Sequence, residues 1–351
     1  MKNSKIVLAI LVSYLSISCA LAQKKSDDLM ISDKIQAVIQ DNIFKTEGYY
    51  NWGASIIKDE NGKYHNFYAR WKREYRFFGW LTYSEVAHAV SDSPSGPWEY
   101  VETVLEGRRN GKWDAITAHN PKIKHFDGKY YLYYISTNMG EKNYTEDDLI
   151  EISETGYNHP DWKILRPNQR TGVAVSESLN GPWERMDEPL IEPSGPITTL
   201  TVNPAIDKGK DSKYYLIVKG DKPNETKFIR NQAVAIADHP AGPFVIQEKP
   251  VIDYLDTEDM SVWYDENRER FYGVFHAHSF IGMITSENGT DWEKAANYKL
   301  TEKKILLEDG TYLIPNRMER PFVLQADGEP KVLVVAVKKG DDSYSVYIPL
   351  N

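Results

Sequence analysis

The feature of this sequence that most constrains its fold is a unit of two short apolar or aromatic segments joined by a polar turn, which recurs five times. In three copies the turn contains Asn61-Gly62, Asp127-Gly128 or Asp327-Gly328. Such pairs supply the positive φ that tight hairpin turns require. The repeat therefore predicts five β-hairpins, at residues 55–68, 121–134, 204–217, 260–274 and 321–335.

A second unit follows each of the first four hairpins, at residues 89–99, 174–184, 235–244 and 284–293. An inner and an outer hairpin make four antiparallel strands, and such sheets repeated along a chain are typical of a β-propeller. We therefore predict an all-β, five-bladed propeller. Because the last copy lacks the Gly-Pro-Trp type of turn, we expect the N-terminal segment around Ala37-Val38-Ile39 to supply its outermost strand and close the ring.

The first 22 residues have the pattern of a signal peptide: a charged start, an apolar run from Ile6 to Leu15, and Ala20-Leu21-Ala22 before Gln23. The apolar run is too short for stable membrane insertion. We predict an exported protein, periplasmic or secreted, whose residues 23–351 form one propeller domain. A lipoprotein anchored at Cys19, the only cysteine, is the less favoured alternative because Ser16 is atypical before a lipid-modified cysteine.

The charge of the chain argues against a nucleic-acid partner. The formal net charge is -9 and the isoelectric point is near 5.5, whereas nucleic-acid binding needs a basic face. Within this acidic chain, Arg70, Arg170, Arg317 and Arg320 lie near the predicted mouth of the propeller. They predict an anionic partner such as a uronate or sulfated sugar, with intramolecular ion pairs as the alternative.

Alignment of the five repeats places a ring of mostly polar residues where the inner strands begin, around one end of the central channel. Carboxylates and an imidazole at this depth need partners, a metal or a substrate. The aligned pairs are Trp52-Gly53, His119-Asn120, Val202-Asn203, Glu258-Asp259 and Glu319-Arg320.

Each of these residues also has a purely structural interpretation. Asn120 and Asn203 are residue types that stabilise turns, and Glu319 with Arg320 could form a structural ion pair. Because Glu258 and Asp259 are adjacent in a strand, one is expected to face the axis and the other the blade. His276 and His278 share one side of a strand but lack a recognisable third metal ligand, so no metal site is predicted.

The Ser-x-Ser-x-x-Gly-Pro-Trp turns at 91–98 and 176–183, with the aromatic strand at 127–134, resemble the five-bladed glycoside hydrolases of family 43 and its relatives, families 32, 62, 117 and 130. The resemblance covers nearly the whole mature chain. It implies a carbohydrate substrate bound in the axial funnel, with no cofactor, although an axial calcium ion is left open. One departure stands out: the family 43 base is an aspartate in an Asp-Pro pair, where this chain has Gly53-Ala54.

The catalytic roles are therefore predicted from other carboxylates. Asp114, beside Trp113, is the candidate base, and its alternative role is to cap a turn. Glu258 is the candidate acid because Asp259 and Glu319 are expected to raise its pKa. Glu319 is expected to orient a substrate hydroxyl. The candidate substrate-binding residues are Trp52, Trp113, His119, Asn120, Asn203, Asp259, Arg320 and Arg170, with Tyr50 and Trp80 as further stacking candidates.

These features predict an exported glycoside hydrolase that uses two carboxylates. The missing aspartate keeps a non-catalytic glycan-binding propeller as an alternative, and the arginines keep a glycoside phosphorylase. The insertion at 137–169 is interpreted as a solvated acidic face, with a lid or partner-contact loop as the alternative.

Overall fold

The chain folds into a β-propeller of five four-stranded antiparallel sheets, as the repeat predicts. The computed structural model describes residues 28–109 and 111–351. All five predicted hairpins are the inner strand pairs of blades. The predicted signal peptide, with Cys19 and Gln23, lies outside the described residues, so export stays a prediction.

The strands are numbered in chain order, beginning with β1 (Ile43–Phe44). Blade one contains β2 (Tyr49–Lys58), β3 (Tyr64–Lys72), β4 (Glu85–Ser91) and β5 (Glu99–Leu105). Blade two contains β6 (His119–Phe126), β7 (Lys129–Thr137), β8 (Gln169–Ser176) and β9 (Glu184–Arg185). Blade three contains β10 (Thr198–Lys208), β11 (Tyr214–Asp221), β12 (Arg230–Ala237) and β13 (Val245–Pro250). Blade four contains β14 (Glu258–Asp265), β15 (Arg270–Ala277), β16 (Phe280–Ser286) and β17 (Glu293–Glu302). A short hairpin of β18 (Ile305–Leu306) and β19 (Tyr312–Leu313) precedes β20 (Arg317–Ala326), β21 (Glu329–Lys339) and β22 (Asp342–Pro349) of blade five.

The N-terminal segment closes the ring, as predicted, but through a strand slightly later in the chain. β1 pairs with β22, so that blade five has the order β1, β22, β21, β20. Val38, in the segment expected to form this strand, instead makes a parallel bridge to Leu307. Closure of the last blade by the first part of the chain covers an edge that would otherwise remain unpaired.

The hydrophobic core lies between neighbouring blades. Strands with neighbours on both faces are buried almost continuously, as in β7, where every residue from Tyr131 to Thr137 is buried. Between blades one and five, Trp98 of the Gly-Pro-Trp turn packs against Tyr347 with ring centroids 5.2 Å apart. The repeated turn thus supplies a side chain that fills the gap between two sheets.

The insertion between β7 and β8 carries two α-helices, Glu146–Thr155 and Trp162–Leu165. Thr145 and Asp148 form a capping box at the start of the first helix. Leu149 and Ile152 pack into a core cluster with Trp162, and acidic residues remain on the outer side. The predicted solvated face is confirmed by the exposure of Glu141, Glu146, Asp147, Glu151 and Glu154, whereas Asp148, which was expected on the same face, is half-buried in the capping box.

Short 3-10 segments complete the secondary structure at Ser32–Lys34, Gln40–Asn42, Arg73–Tyr75, Phe77–Leu81, Gly156–Asn158 and Arg166–Asn168. Among residues 28–109 and 111–351, none of the helices has the length and apolar character that crossing a membrane requires.

Candidate active site

A β-bulge near the start of every inner strand positions the candidate site. The strand register is interrupted at the aligned residues in all five blades. The bulged residue has a positive φ in every case, as for Asn203 (56°) and Asp259 (66°). Such bulges redirect side chains. The five residues with this conformation are Gly53, Asn120, Asn203, Asp259 and Arg320.

The bulges place two consecutive residues of each blade around the axis, at two depths. In each blade, the residue directly before the bulged residue contributes to the wall of a wide funnel. The bulged residues themselves surround a small axial cavity beneath this funnel. The expectation that only one of Glu258 and Asp259 faces the axis is therefore wrong. Regular strand alternation does not hold where a bulge adds a residue.

The bulged residues form a hydrogen-bonded axial ring. Asp259 accepts hydrogen bonds from the backbone and guanidinium of Arg320 and from the Asn203 amide (2.7 Å). The amides of Asn203 and Asn120 are 3.2 Å apart. Gly53 is required in this ring because a Cβ atom there would lie 2.8 Å from Asn120 Oδ1. Asn120 and Asn203 thus support the ring and also line the funnel.

The funnel is a cavity of about 810 Å³ at the end of the channel where the inner strands begin. Trp52 and Trp80, two of the predicted stacking residues, lie in its wall. A second cavity of about 630 Å³, at the opposite ends of blades three and four, contains none of the predicted site residues. The aromatic side chains of the funnel wall are Trp52, Trp71, Phe77, Trp80, Tyr157, Trp162 and Phe228.

Two carboxyl groups of the funnel have pKa values displaced in opposite directions. Burial raises the pKa of Glu258, but the charges of Lys219 and Arg230 outweigh burial and lower it well below its usual value. Burial raises the pKa of Glu319, and the carboxylates of Glu258 and Asp259 raise it further. Of these two groups, Glu258 is therefore held as an anion and Glu319 is the one that more readily keeps a proton, and burial raises the pKa of Asp259 beneath them as well.

This result reverses the prediction for Glu258. The sequence indicated only its acidic neighbours, whereas Arg230 Nη1 lies 2.5 Å from Glu258 Oε1 and Lys219 Nζ lies 3.6 Å from Oε2. Both cations come from blade three. Glu258 is consequently unsuited to be a proton donor near neutral pH.

Two buried histidines, His119 and His276, also line the funnel. Burial and the charge of Arg320 lower the pKa of His119 well below its usual value, so its ring is neutral. Its Nδ1 atom is 2.7 Å from the Ser84 hydroxyl. His276 Nδ1 lies 3.9 Å from Glu258 Oε1 and 3.7 Å from Asp259 Oδ2. His278 is exposed at the rim, where its ring contacts Arg230 at 2.8 Å.

Comparison with solved structures finds extensive similarity in fold at low sequence identity. The family 117 glycoside hydrolase Zg3597 of Zobellia galactanivorans has a TM-score of 0.61 and 18% identity, over 90% of this chain and 88% of that one. An endo-arabinase from Bacteroides thetaiotaomicron has a TM-score of 0.55 and 11% identity, over 90% and 98%. The family GH43_1 enzyme of Xanthomonas citri, solved with xylotriose, has a TM-score of 0.57 and 13% identity, over 92% of both chains.

This chain has the fold of the five-bladed glycoside hydrolases. No protein-family model and no curated protein matches it. At such low identity the similarity establishes the propeller fold alone, and the chemistry must be argued from the residues of this chain.

The resemblance to family 43 leads to the expectation of an aspartate at residue 53, and this chain has glycine there. The space that a side chain at Gly53 would need is taken by Asn120 and, at 3.6 Å, by Arg320. The carboxylate of the axial ring is instead Asp259, contributed by blade four.

Asp114 does not lie in the funnel wall. Its side chain is fully buried and accepts hydrogen bonds from Arg108 (2.5 Å), Tyr134 (2.8 Å) and Arg185 (3.2 Å). A carboxylate enclosed by three donors has no free approach to a water molecule. Arg108, from the segment between β5 and β6, and Arg185, from β9, place the Asp114 carboxylate in an ion-pair network, which argues against its predicted role as the base.

Several predicted binding residues also lie outside the funnel wall. Trp113 packs against Tyr134 in the core and donates to the Met186 carbonyl, and Tyr50 is buried. Arg70 pairs with Glu85. Arg170 binds Glu192 and three backbone carbonyls. Their hydrogen-bonding capacity is used within the protein.

The axial residues do not fit a calcium ion. Calcium prefers six to eight oxygen ligands, whereas the axial cavity is lined by one carboxylate, Asp259, and by the cationic side chains of Lys122 and Arg320. Burial lowers the pKa of Lys122 to about 7. Glu258, Asp259 and His276 offer ligand atoms within 4.8 Å of one another, but the two carboxylates already bind Arg230 and Arg320.

Sequence reasoning missed the cations that set the charge of the site. Lys219 and Arg230 lie at strand positions outside the aligned ring, and Lys303 precedes blade five. The Trp162 and Tyr157 side chains of the insertion also form part of the wall. These side chains meet through contacts between distant segments of the chain, which no local pattern in the sequence marks.

Proposed function

We propose that this protein is a glycoside hydrolase that uses Glu319 as the general acid and Glu258 as the ionised carboxylate. The observation that carries the proposal is the opposite displacement of the two pKa values in one funnel. Glycosidic bond cleavage requires one protonated and one ionised carboxyl group on either side of the bond. Pairs of titratable groups whose surroundings separate their pKa values are a recurring basis for such roles.

The remaining residues support this division of roles. The proton on Glu319 would pass to the oxygen of the leaving sugar, while Glu258 activates water or attacks the anomeric carbon. Asp259 and Arg320 bind each other beneath the funnel, and His276 lies beside Glu258 and Asp259. These are positioning residues. Trp52 and Trp80 supply aromatic surface for a sugar ring, which aromatic side chains can cover with little loss of conformational freedom.

The carbohydrate class is supported by the shape and lining of the funnel. An aromatic wall with a few convergent polar groups is typical of a small-molecule site. The solved propellers of similar fold include one with bound xylotriose. We propose in addition that the enzyme works without an axial calcium ion, because the axial carboxylate Asp259 already binds the Arg320 guanidinium.

The test compares Glu319→Gln and Glu258→Gln with the wild type on an oligosaccharide that the wild type cleaves. Glu192→Gln, an exposed glutamate that pairs with Arg170 outside the funnel wall, is the matched control. Loss of a general acid or base lowers kcat by about 10²- to 10⁴-fold. On an aryl glycoside with an acidic phenol, Glu319→Gln is expected to recover much of its activity because that leaving group needs no proton.

The outcomes separate the competing functions. If both variants keep turnover within about twofold of the wild type, the assignment of roles is wrong. Sugar binding by the wild type without release of any product would support a glycan-binding propeller. Release that requires inorganic phosphate would support phosphorolysis.

A further inference from the structure

The funnel reverses the charge of the rest of the protein. The chain has a formal net charge of -9, but among residues 28–109 and 111–351 only two acidic side chains, Glu258 and Glu319, lie in the funnel wall against a larger number of cations. A cavity lined by one sign of charge concentrates ligands of the opposite sign. The seven cationic residues of the wall are Lys163, Arg166, Lys219, Arg230, Lys303, Arg317 and Arg320.

On the side of blade three these cations are neutralised by the protein. Arg166 binds both carboxylate oxygens of Asp221, at 2.6 and 2.8 Å. Arg230 binds Asp256 and Glu258. In the axial ring the Arg320 guanidinium forms an ion pair with Asp259. These side chains build the site, and little of their charge remains for a ligand.

On the side of blade five two cations have only neutral hydrogen-bond partners within the described part of the chain. Arg317 contacts the Tyr157 hydroxyl at 3.4 Å, and its nearest carboxylate oxygen, on Glu319, is 3.7 Å away. Lys303 donates to the Asn316 carbonyl. If Glu319 carries a proton, as the proposed function requires, neither cation faces a negative charge at hydrogen-bond distance.

Arg317 is also held in place for recognition. Its guanidinium lies 5.5 Å from the centre of the Phe77 ring, which forms part of the funnel wall. About a third of its side chain is exposed, at 35%, so the remaining donors can reach a ligand. A guanidinium presents its donors in a rigid fork that matches a carboxylate or sulfate group.

Resting on the proposed hydrolase function, we propose that Arg317 and Lys303 form a subsite for an oxyanion carried by the substrate. The oxyanion is the carboxylate of a uronic acid or the sulfate of a sulfated sugar. Of the four arginines that the sequence singled out, Arg70, Arg170 and Arg320 bind acidic residues of the protein. Only Arg317 among them keeps donors for a ligand, and Lys303 adds a second charge.

The experiment uses two matched pairs of oligosaccharides that differ only in charge. One pair is an oligogalacturonate and its fully methyl-esterified form, and the other is a sulfated galactan oligosaccharide and its desulfated form. Binding to the full-length mature protein is measured by calorimetry, and cleavage by reducing-end release. The variants are Arg317→Gln and Lys303→Gln, with Lys304→Gln as the control because Lys304 pairs with Glu302 and lies outside the funnel wall.

The wild type is expected to bind one charged form about 10- to 100-fold more tightly than its neutral partner, in line with a charge-assisted hydrogen bond. Either variant removes most of this preference, and Lys304→Gln keeps it. The readout is the ratio of the dissociation constants of the neutral and charged members of each pair. The absolute rate of cleavage is not a suitable readout, because the charge of Arg317 also lowers the pKa of Glu319 and its removal would change the rate through that residue.

The oligosaccharide pair whose charged member binds more tightly identifies the bound group as a carboxylate or a sulfate. Equal affinity for the charged and neutral members of both pairs overturns the subsite, and so does a preference that persists in both variants. Cleavage of neutral oligosaccharides alone would leave the hydrolase function intact while removing the subsite. Charge-dependent binding that is lost in Arg317→Gln, without cleavage of any oligosaccharide, would support the subsite and contradict the hydrolase function.

Discussion

Replacement of Asp114 by asparagine distinguishes a catalytic from a structural role for this residue. Its carboxylate is fully buried and accepts from Arg108, Arg185 and Tyr134. An asparagine of the same shape would turn an amide nitrogen towards these donors, leave the Arg185 guanidinium without its carboxylate and leave Arg108 with only the exposed Asp187. The structure therefore predicts a loss of stability, whereas a catalytic base would affect turnover alone.

The magnitude follows from the burial of the ion pairs. Removal of one partner from a buried pair costs about 3–5 kcal/mol. For about 320 described residues, the entropy of unfolding is about 0.7 kcal/mol/K, so Tm should fall by about 4–7 °C. We expect kcat on any cleaved substrate to remain within about twofold of the wild-type value at a temperature well below Tm.

Asp187→Asn is the matched control because Asp187 binds the same Arg108, at 3.0 Å, but has a side chain that is 69% exposed. An exposed pair contributes about 0–1 kcal/mol, so this variant should shift Tm by less than about 2 °C. Both variants are measured by differential scanning calorimetry at pH 7. Equal Tm values for Asp114→Asn and Asp187→Asn would refute the argument from burial, and a normal Tm with lost turnover would restore Asp114 as a catalytic candidate.

Two further predictions concern pH and metal removal. Burial lowers the pKa of His88 to about 4, so the unfolded chain takes up a proton at this residue below about pH 6.5 and the folded chain does not. The free energy of unfolding should therefore fall by about 2 kcal/mol from pH 7 to pH 5 on account of His88. Urea titrations should show a smaller fall for His88→Gln than for the wild type. Equal falls in the two proteins would contradict the assignment to His88. Because Lys122 and Arg320 line the axis, treatment with EDTA should leave Tm and turnover unchanged, and a loss that calcium alone restores would contradict the proposal.

The five-bladed architecture could be predicted from the sequence because its determinants are local. Each hairpin depends on a turn and on the strands directly beside it, as at Asp127-Gly128 between β6 and β7. The alignment of the repeats also located the ring of strand-start residues, including Glu258 and Glu319 in the funnel and Asp259 and Arg320 on the axis. Closure by the N-terminal segment followed from the missing strand of the last repeat.

The chemical state of those residues was decided only by the tertiary structure. Glu258 is anionic because Lys219 and Arg230 reach it from another blade. Asp114 is enclosed because Arg185, 71 residues away in sequence, folds back onto it. A pKa depends on burial and on charges within a few ångströms in space, and in a propeller those charges lie on neighbouring blades, where no local pattern in the sequence records them.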